Sequence, residues 1–169
     1  MEGYKKLRIE ELTKNVGIAQ GTFYHFYKTK ESLIFDLSTA YQTSIDQRVY
    51  ELIENKGFID SNDFAQLYQN MFLNDDDNVF RFLKRSDIDH LVTRLSVDIN
   101  QLYEASRSTM SSVFDNLKNP RKNLDQELVF NLIQLLNLTV ENKDLLVHRA
   151  FEKTIDAIIS QMVHEIFEI

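Results

Sequence analysis

The chain has 169 residues, 43% of them hydrophobic, with four glycines, one proline and no cysteine. That length supports a substantial core, the scarcity of turn formers points to helices joined by short loops, and the missing cysteines exclude disulfides and thiolate metal sites. A net charge of −7 disfavours contact with a polyanion by the molecule as a whole, and no apolar run approaches the roughly 20 residues a bilayer needs.

The stretch RIEELTKNVGIAQGTFYHFYKTKESLI, from Arg8 to Ile34, is the most structured in pattern. Ile9, Leu12 and Val16 stand three and four apart, on one side of a short helix, and Gly17 ends it by admitting a left-handed backbone that a Cβ resists. A second short helix, from Ala19 to His25, turns Phe23 inward with Phe26 or Tyr27 and leaves Gln20, Thr22, Tyr24 and His25 on other faces. Gly21 carries no side chain to hold that helix off a surface. Lys28 and Lys30 stand where the next helix begins. Together these pieces read as a helix-turn-helix running into a longer third helix.

The charge is unevenly spread. Residues 1–30 hold six cations (Lys5, Lys6, Arg8, Lys14, Lys28, Lys30) against three acids, a net of +3 that leaves −10 for residues 31–169. The basic end can face phosphates while the acidic bulk faces away.

From Lys30 to Asn55, Leu33, Leu37, Tyr41, Ile45, Val49 and Leu52 make one long amphipathic helix, ended by Lys56-Gly57. Asp60 to Asn62 offers caps for the next helix, whose face is Phe64, Leu67, Tyr68, Met71 and Phe72, before Asn74 to Asp77 interrupts it. Phe80 and Leu83 lie on a short helix. From Ser86 to Asn116 the helical period runs on through Ile88, Leu91, Leu95, Ile99, Leu102, Met110 and Val113, and Asn119 to Asn123 breaks it. Leu128, Leu132 and Leu135 belong to a helix apolar nearly all round. Ile155, Ile158, Met162 and Ile166, with Ile159 on the shoulder, stripe another running from Leu145 to Ile169. Both stripes are wider than one packing surface needs.

Constellations for catalysis or metal binding are not found. His90, His148 and His164 are dispersed, Asp75-Asp76-Asp77 lacks the glycine and distal glutamate of a calcium loop, and no phosphate loop or dinucleotide fingerprint occurs.

Gly17, the run Gly21-Thr22-Phe23-Tyr24, and Lys30-Glu31-Ser32-Leu33 stand at the spacing of the TetR family of bacterial transcriptional regulators, which the first fifth of the chain resembles. The sequence departs from that pattern in three places. The family has a full helix ahead of the helix-turn-helix, whereas this chain opens at Met1-Glu2-Gly3-Tyr4; Gly3-Tyr4 reads as the tail of that helix, and a missing N-terminus is expected. Arg8 and Ala19 replace Ser or Thr caps, each loss being worth about 1 kcal/mol. Phe26-Tyr27 stands where His or Tyr followed by Phe is usual, so no phosphate contact is carried to position 26.

The resemblance implies an all-α protein with a helix-turn-helix DNA-binding domain over 1–40 and a helical ligand-binding and dimerisation domain over 41–169. It further implies a non-enzymatic, cytoplasmic repressor without cofactor, binding palindromic double-stranded operator DNA as a homodimer and released by an unidentified small-molecule effector. Gln20 and Thr22 are then expected at base edges, His25 at a base or phosphate, Tyr24, Lys28 and Lys30 at phosphates, and Gly21 at the close approach. Tyr68, Phe72, Phe82, His90, Tyr103 and Phe114 are candidates for the effector pocket. Leu128, Leu132, Leu135, Ile155, Ile158, Ile159, Met162 and Ile166 are candidates for the dimer interface. The alternative is a scaffold of the same fold that binds a protein partner instead of DNA.

Overall fold

The structure, a computed structural model, describes residues 4–168, and within them the side chains other than those at positions 5, 99–103, 105 and 106. Among the described residues there are eight α-helices and no strand.

Two short helices come first, α1 (Ile9–Val16) and α2 (Gln20–Phe26), preceded by a 3-10 turn at Tyr4–Lys6. Met1 to Gly3, including the first residue of the expected helix tail Gly3-Tyr4, lie outside the described residues. In α1 the inward position falls to Thr13, whose hydroxyl is satisfied by the carbonyls of Ile9 (2.8 Å) and Glu10 (3.1 Å). Ile9 and Leu12 are half-buried beside it, but Val16, expected inward, is 64% exposed because it ends the stripe where no described residue reaches over it.

Helix α3 (Lys30–Lys56) is unbroken for 27 residues and crosses the boundary expected at residue 40. Its start is fixed by a capping box that the sequence reading missed: the Thr29 hydroxyl accepts from the Ser32 N–H at 3.1 Å, and the Ser32 hydroxyl accepts from the Thr29 N–H at 3.2 Å. Gly57, left-handed at φ 77°, closes the far end. The buried line is Glu31, Ile34, Ser38, Tyr41, Ile45 and Val49. Leu33, expected on it, is half-buried and Leu37 is 43% exposed, because Glu31 and Ile34, which meet His90 and Leu91, take the side toward α5 (Arg85–Leu95).

Helix α4 (Ser61–Gln69) runs into a π-helical turn, Asn70–Asn74, and a 3-10 turn, Val79–Arg81. The single run expected from Ser86 to Asn116 is two helices, α5 and α6 (Ile99–Asp115), because Ser96 takes a left-handed backbone at φ 53° and stops α5 without glycine or proline. The last pair is α7 (Gln126–Glu141) and α8 (Phe151–Ile166); turns at Lys143–Leu145 and His148–Ala150 occupy what was expected to be the first coils of α8.

The main core lies where α4, α7 and α8 meet. Phe64, Ile59, Val129, Leu136, Ile155, Met162 and Ile166 are each fully covered. Phe64 stacks tilted on Tyr68 at 4.7 Å and edge-on to Phe167 at 6.1 Å. A smaller core of Tyr4, Ile34, Leu83 and Leu91 ties the first segment to α3 and α5.

Asp60 caps α4 by accepting from the N–H groups of Asn62 and Asp63, both at 3.0 Å, and pairs with Lys56 at 2.6 Å. The Lys56 hydrogen bond, then the Asp63 N–H, hold its carboxyl down to about 2. A carboxyl depressed in the folded state stabilises above its unfolded value near 4 and loses that contribution as pH falls toward about 2. Asp60→Ala should therefore lose about 1 kcal/mol in urea unfolding at pH 7. The difference from wild type should shrink on acidification to pH 2; an unchanged difference would show that the carboxylate charge plays no part.

Candidate nucleic-acid interface

The turn between α1 and α2 is set by Gly17, left-handed at φ 73°. Its N–H donates to the Lys14 carbonyl at 3.2 Å and the Ile18 N–H to the Thr13 carbonyl at 2.9 Å, the paired bonds of a Schellman motif. That motif fixes the direction in which α2 leaves. Phe23 then anchors α2: it is buried, with the Tyr27 ring at 5.7 Å and Tyr24 edge-on at 5.3 Å. Of the two rings expected beside Phe23, Tyr27 is the one that packs; Phe26 stands 73% exposed, 5.2 Å from His25.

Holding Phe23 inward turns the rest of this short helix out. Gln20, Gly21, Thr22, Tyr24 and His25 are all exposed, and Lys28 follows them in the open. A Cβ built on Gly21 would meet nothing within 4 Å. The fold itself therefore does not require glycine there, unlike Gly17, and the bare backbone is available to a surface outside the chain. Ile18, half-exposed at the mouth of the same turn, was not singled out from sequence, although an apolar residue between the turn glycine and α2 is a usable signal.

Lys30, expected at a phosphate, is directed inward. Its Nζ donates to the backbone carbonyls of Tyr4 (3.4 Å) and Leu7 (3.3 Å) and sits 5.5 Å from the Tyr4 ring centroid, so it braces the first segment against α3. Arg8 and Ala19 give no side-chain cap, as their chemistry dictates.

Behind this surface the first segment meets α5 through a buried acidic cluster. Glu31 on α3 lies 4.0 Å from His90 Nε2, and Asp87 accepts from the Lys84 N–H at 3.0 Å. Tyr4 is buried there with its hydroxyl lacking a hydrogen-bond partner among the described residues. Burial first, then Glu31 and Asp87, push that hydroxyl above its usual range.

The effector candidates do not converge. Tyr68 and Phe72 are core rings, stacked at 6.4 Å, with the Tyr68 hydroxyl directed at Met110 Sδ (3.8 Å) and pushed up by burial. Phe114 is packed against the same core. The Tyr103 side chain lies outside the described residues. Phe82 is exposed and lines a groove of about 340 Å³ beside Tyr4 and Ile34, while His90 belongs to the acidic cluster. Among the expected interface residues, Ile155, Ile159, Met162 and Ile166 are fully covered inside one chain, because α4 and α7 close over both flanks of α8. In the single chain their side chains are core. Leu128 and Leu135 are exposed, and Leu132 and Ile158 half-buried. No group of three His, Asp or Glu that could hold a metal ion occurs among the described residues. Nor is any described helix long and apolar enough to cross a membrane.

Residues 1–37 match the family model for bacterial regulatory proteins, tetR family. No curated protein and no solved structure matches the chain. The Schellman turn, the outward face of α2 and that match fall on the same segment, so the first 37 residues are similar to the DNA-binding helix-turn-helix of bacterial regulatory proteins of the tetR family.

Proposed function

We propose that the protein is a cytoplasmic repressor that binds palindromic operator DNA as a homodimer and is released by a small-molecule effector. The outward face of α2, with its unobstructed Gly21, carries this reading. Gln20 and Thr22 read base edges, Tyr24 and Lys28 hold phosphates, and His25 serves at either. Lys30 acts indirectly, by keeping the first segment seated. One seven-residue helix reads few base pairs, so a two-fold axis that sets two of them about 34–36 Å apart supplies the rest of the affinity and specificity. The exposed Leu128 and Leu135, flanked by Leu132 on α7, support that axis as an apolar stripe in need of cover. The repressor sign follows the family majority.

The protein-partner reading keeps one specific support, the exposed apolar Val16 and Phe26 on the same domain. Selection from random duplex DNA separates the two. A palindrome should enrich with wild type. Tyr24→Ala and Lys28→Ala should weaken its binding without changing the melting temperature, Lys28→Ala lowering the salt slope by about 1. Lys30→Ala should lower the melting temperature as well. A folded dimer that enriches no sequence at low salt would overturn operator binding in favour of a protein partner.

A further inference from the structure

The groove beside Phe82 has walls from two parts of the molecule. Tyr4, Lys6 and Leu7 come from the DNA-binding segment, Ile34 comes from α3, and Val79, Phe82 and Leu83 come from the turn before α5. Its volume of about 340 Å³ is at the small end of sites that take a ligand. Six of these seven residues are aromatic or aliphatic, so the space suits a hydrocarbon or aryl body. Phe82 and Leu83 also line an adjoining cleft with Arg81, Lys84 and Lys143, against the acids Glu141 and Asp144. With Lys6 the joined surface carries four cations to two carboxylates, in a chain whose net charge is −7. Lys143 Nζ lies 5.9 Å from the Phe82 ring centroid, on one of the two residues that both clefts share, and the exposed Lys84 lines the same cleft. Glu141 is already engaged, accepting from the Arg85 N–H at 3.1 Å. An apolar slot ending at ammonium groups is complementary to one kind of small molecule.

We propose that this junction groove binds an amphipathic carboxylate, with its apolar body between Leu7, Val79 and Phe82 and its carboxylate at Lys143 and Lys84. The proposal rests on the effector-released reading above and gives it a place and a ligand class. A molecule so seated touches the first segment and the turn before α5 at once, so its binding energy depends on how those two parts are set against each other.

The test titrates the full chain with sodium decanoate, below its micelle concentration, by calorimetry and amide chemical shifts. Decanoate should saturate one site per chain and shift amides of Leu7, Val79 and Leu83. Lys84→Gln/Lys143→Gln, confined to the surface, should weaken it about tenfold, as the loss of a charge-assisted contact requires. Methyl decanoate should weaken similarly, Val79→Trp should abolish saturation by filling the slot, and Lys153→Gln on the outer face of α8 should change nothing. Equal affinity for acid and ester, or saturation that survives both groove variants, would overturn the proposal, as would absence of binding to a folded chain. Operator affinity measured on the same ligand-free samples keeps the two readings apart. Loss of DNA binding with the titration intact sinks the repressor reading, and the reverse sinks only the groove.

Discussion

Replacing Phe64 with alanine should lower the unfolding free energy by about 3–5 kcal/mol, the largest single effect expected in this chain. Phe64 is fully covered, sits on the short α4, and holds Tyr68 at 4.7 Å on one side and Phe167 at 6.1 Å on the other. Its removal leaves a void that neither ring can fill without leaving the contacts that fix α8. Domains are stable by only about 5–15 kcal/mol, so the variant should unfold near the lower end of a urea titration followed by helical circular dichroism. A midpoint within error of wild type would mean that α4 does not seat on α7 and α8 as described.

The second large effect is at Asp75, just after the π-helical turn. Its Oδ2 accepts from the Tyr41 hydroxyl at 2.8 Å and pairs with Arg48 Nη1 at 2.5 Å, while its backbone carbonyl takes Arg81 Nη1 at 3.0 Å. One mostly buried carboxylate thus ties the middle of α3 to the segment leading to α5. Asp75→Ala leaves the buried Tyr41 hydroxyl and the Arg48 guanidinium facing each other with nothing to receive them. Removing one partner of a buried pair costs about 3–5 kcal/mol, and the partial exposure of Arg48 brings the expected loss to about 2–3 kcal/mol. Asp75→Asn should lose less, since its amide oxygen still accepts from Tyr41. Combining Asp75→Ala with Arg48→Ala should cost less than the two separate losses summed. Strict additivity in that cycle would show that the pair is not coupled.

The parts legible in sequence were those carried by a residue with a unique backbone or a unique volume. Gly17 and Gly57 announced their turns because only glycine takes a left-handed backbone freely, and Phe23 announced the inward side of α2 because nothing else near it is as large. The break between α5 and α6 was hidden, since Ser96 adopts the same left-handed conformation without a glycine to signal it. The stripe on α8 is wide where α4 and α7 cover it from two sides within the chain, a cause that the pattern alone does not show. A helix flanked on two sides within its own chain and one shared with a partner carry the same apolar pattern, and only the positions of α4 and α7 distinguish them. Lys30 is ambiguous in sequence for a related reason: a long side chain at a helix start reaches either outward or back, and the carbonyls of Tyr4 and Leu7 that it meets come from a segment 23 to 26 residues away.

Helix α3 turns the Asp75 contact into a matter of leverage. At 27 residues it is about 40 Å long, and Tyr41 and Arg48 grip it near its midpoint. As a rigid rod, with the small core of Ile34, Leu83 and Leu91 carried along by its first half, it would pivot at that grip. A rotation of about 10° at the grip carries an end about 20 Å away through about 3.5 Å, close to the rise of one base pair. The end that moves begins at Lys30, where the first segment is fastened by hydrogen bonds to Tyr4 and Leu7 and follows as a passenger. Small adjustments around Asp75 are thereby geared up at the end of α3 that carries the first segment.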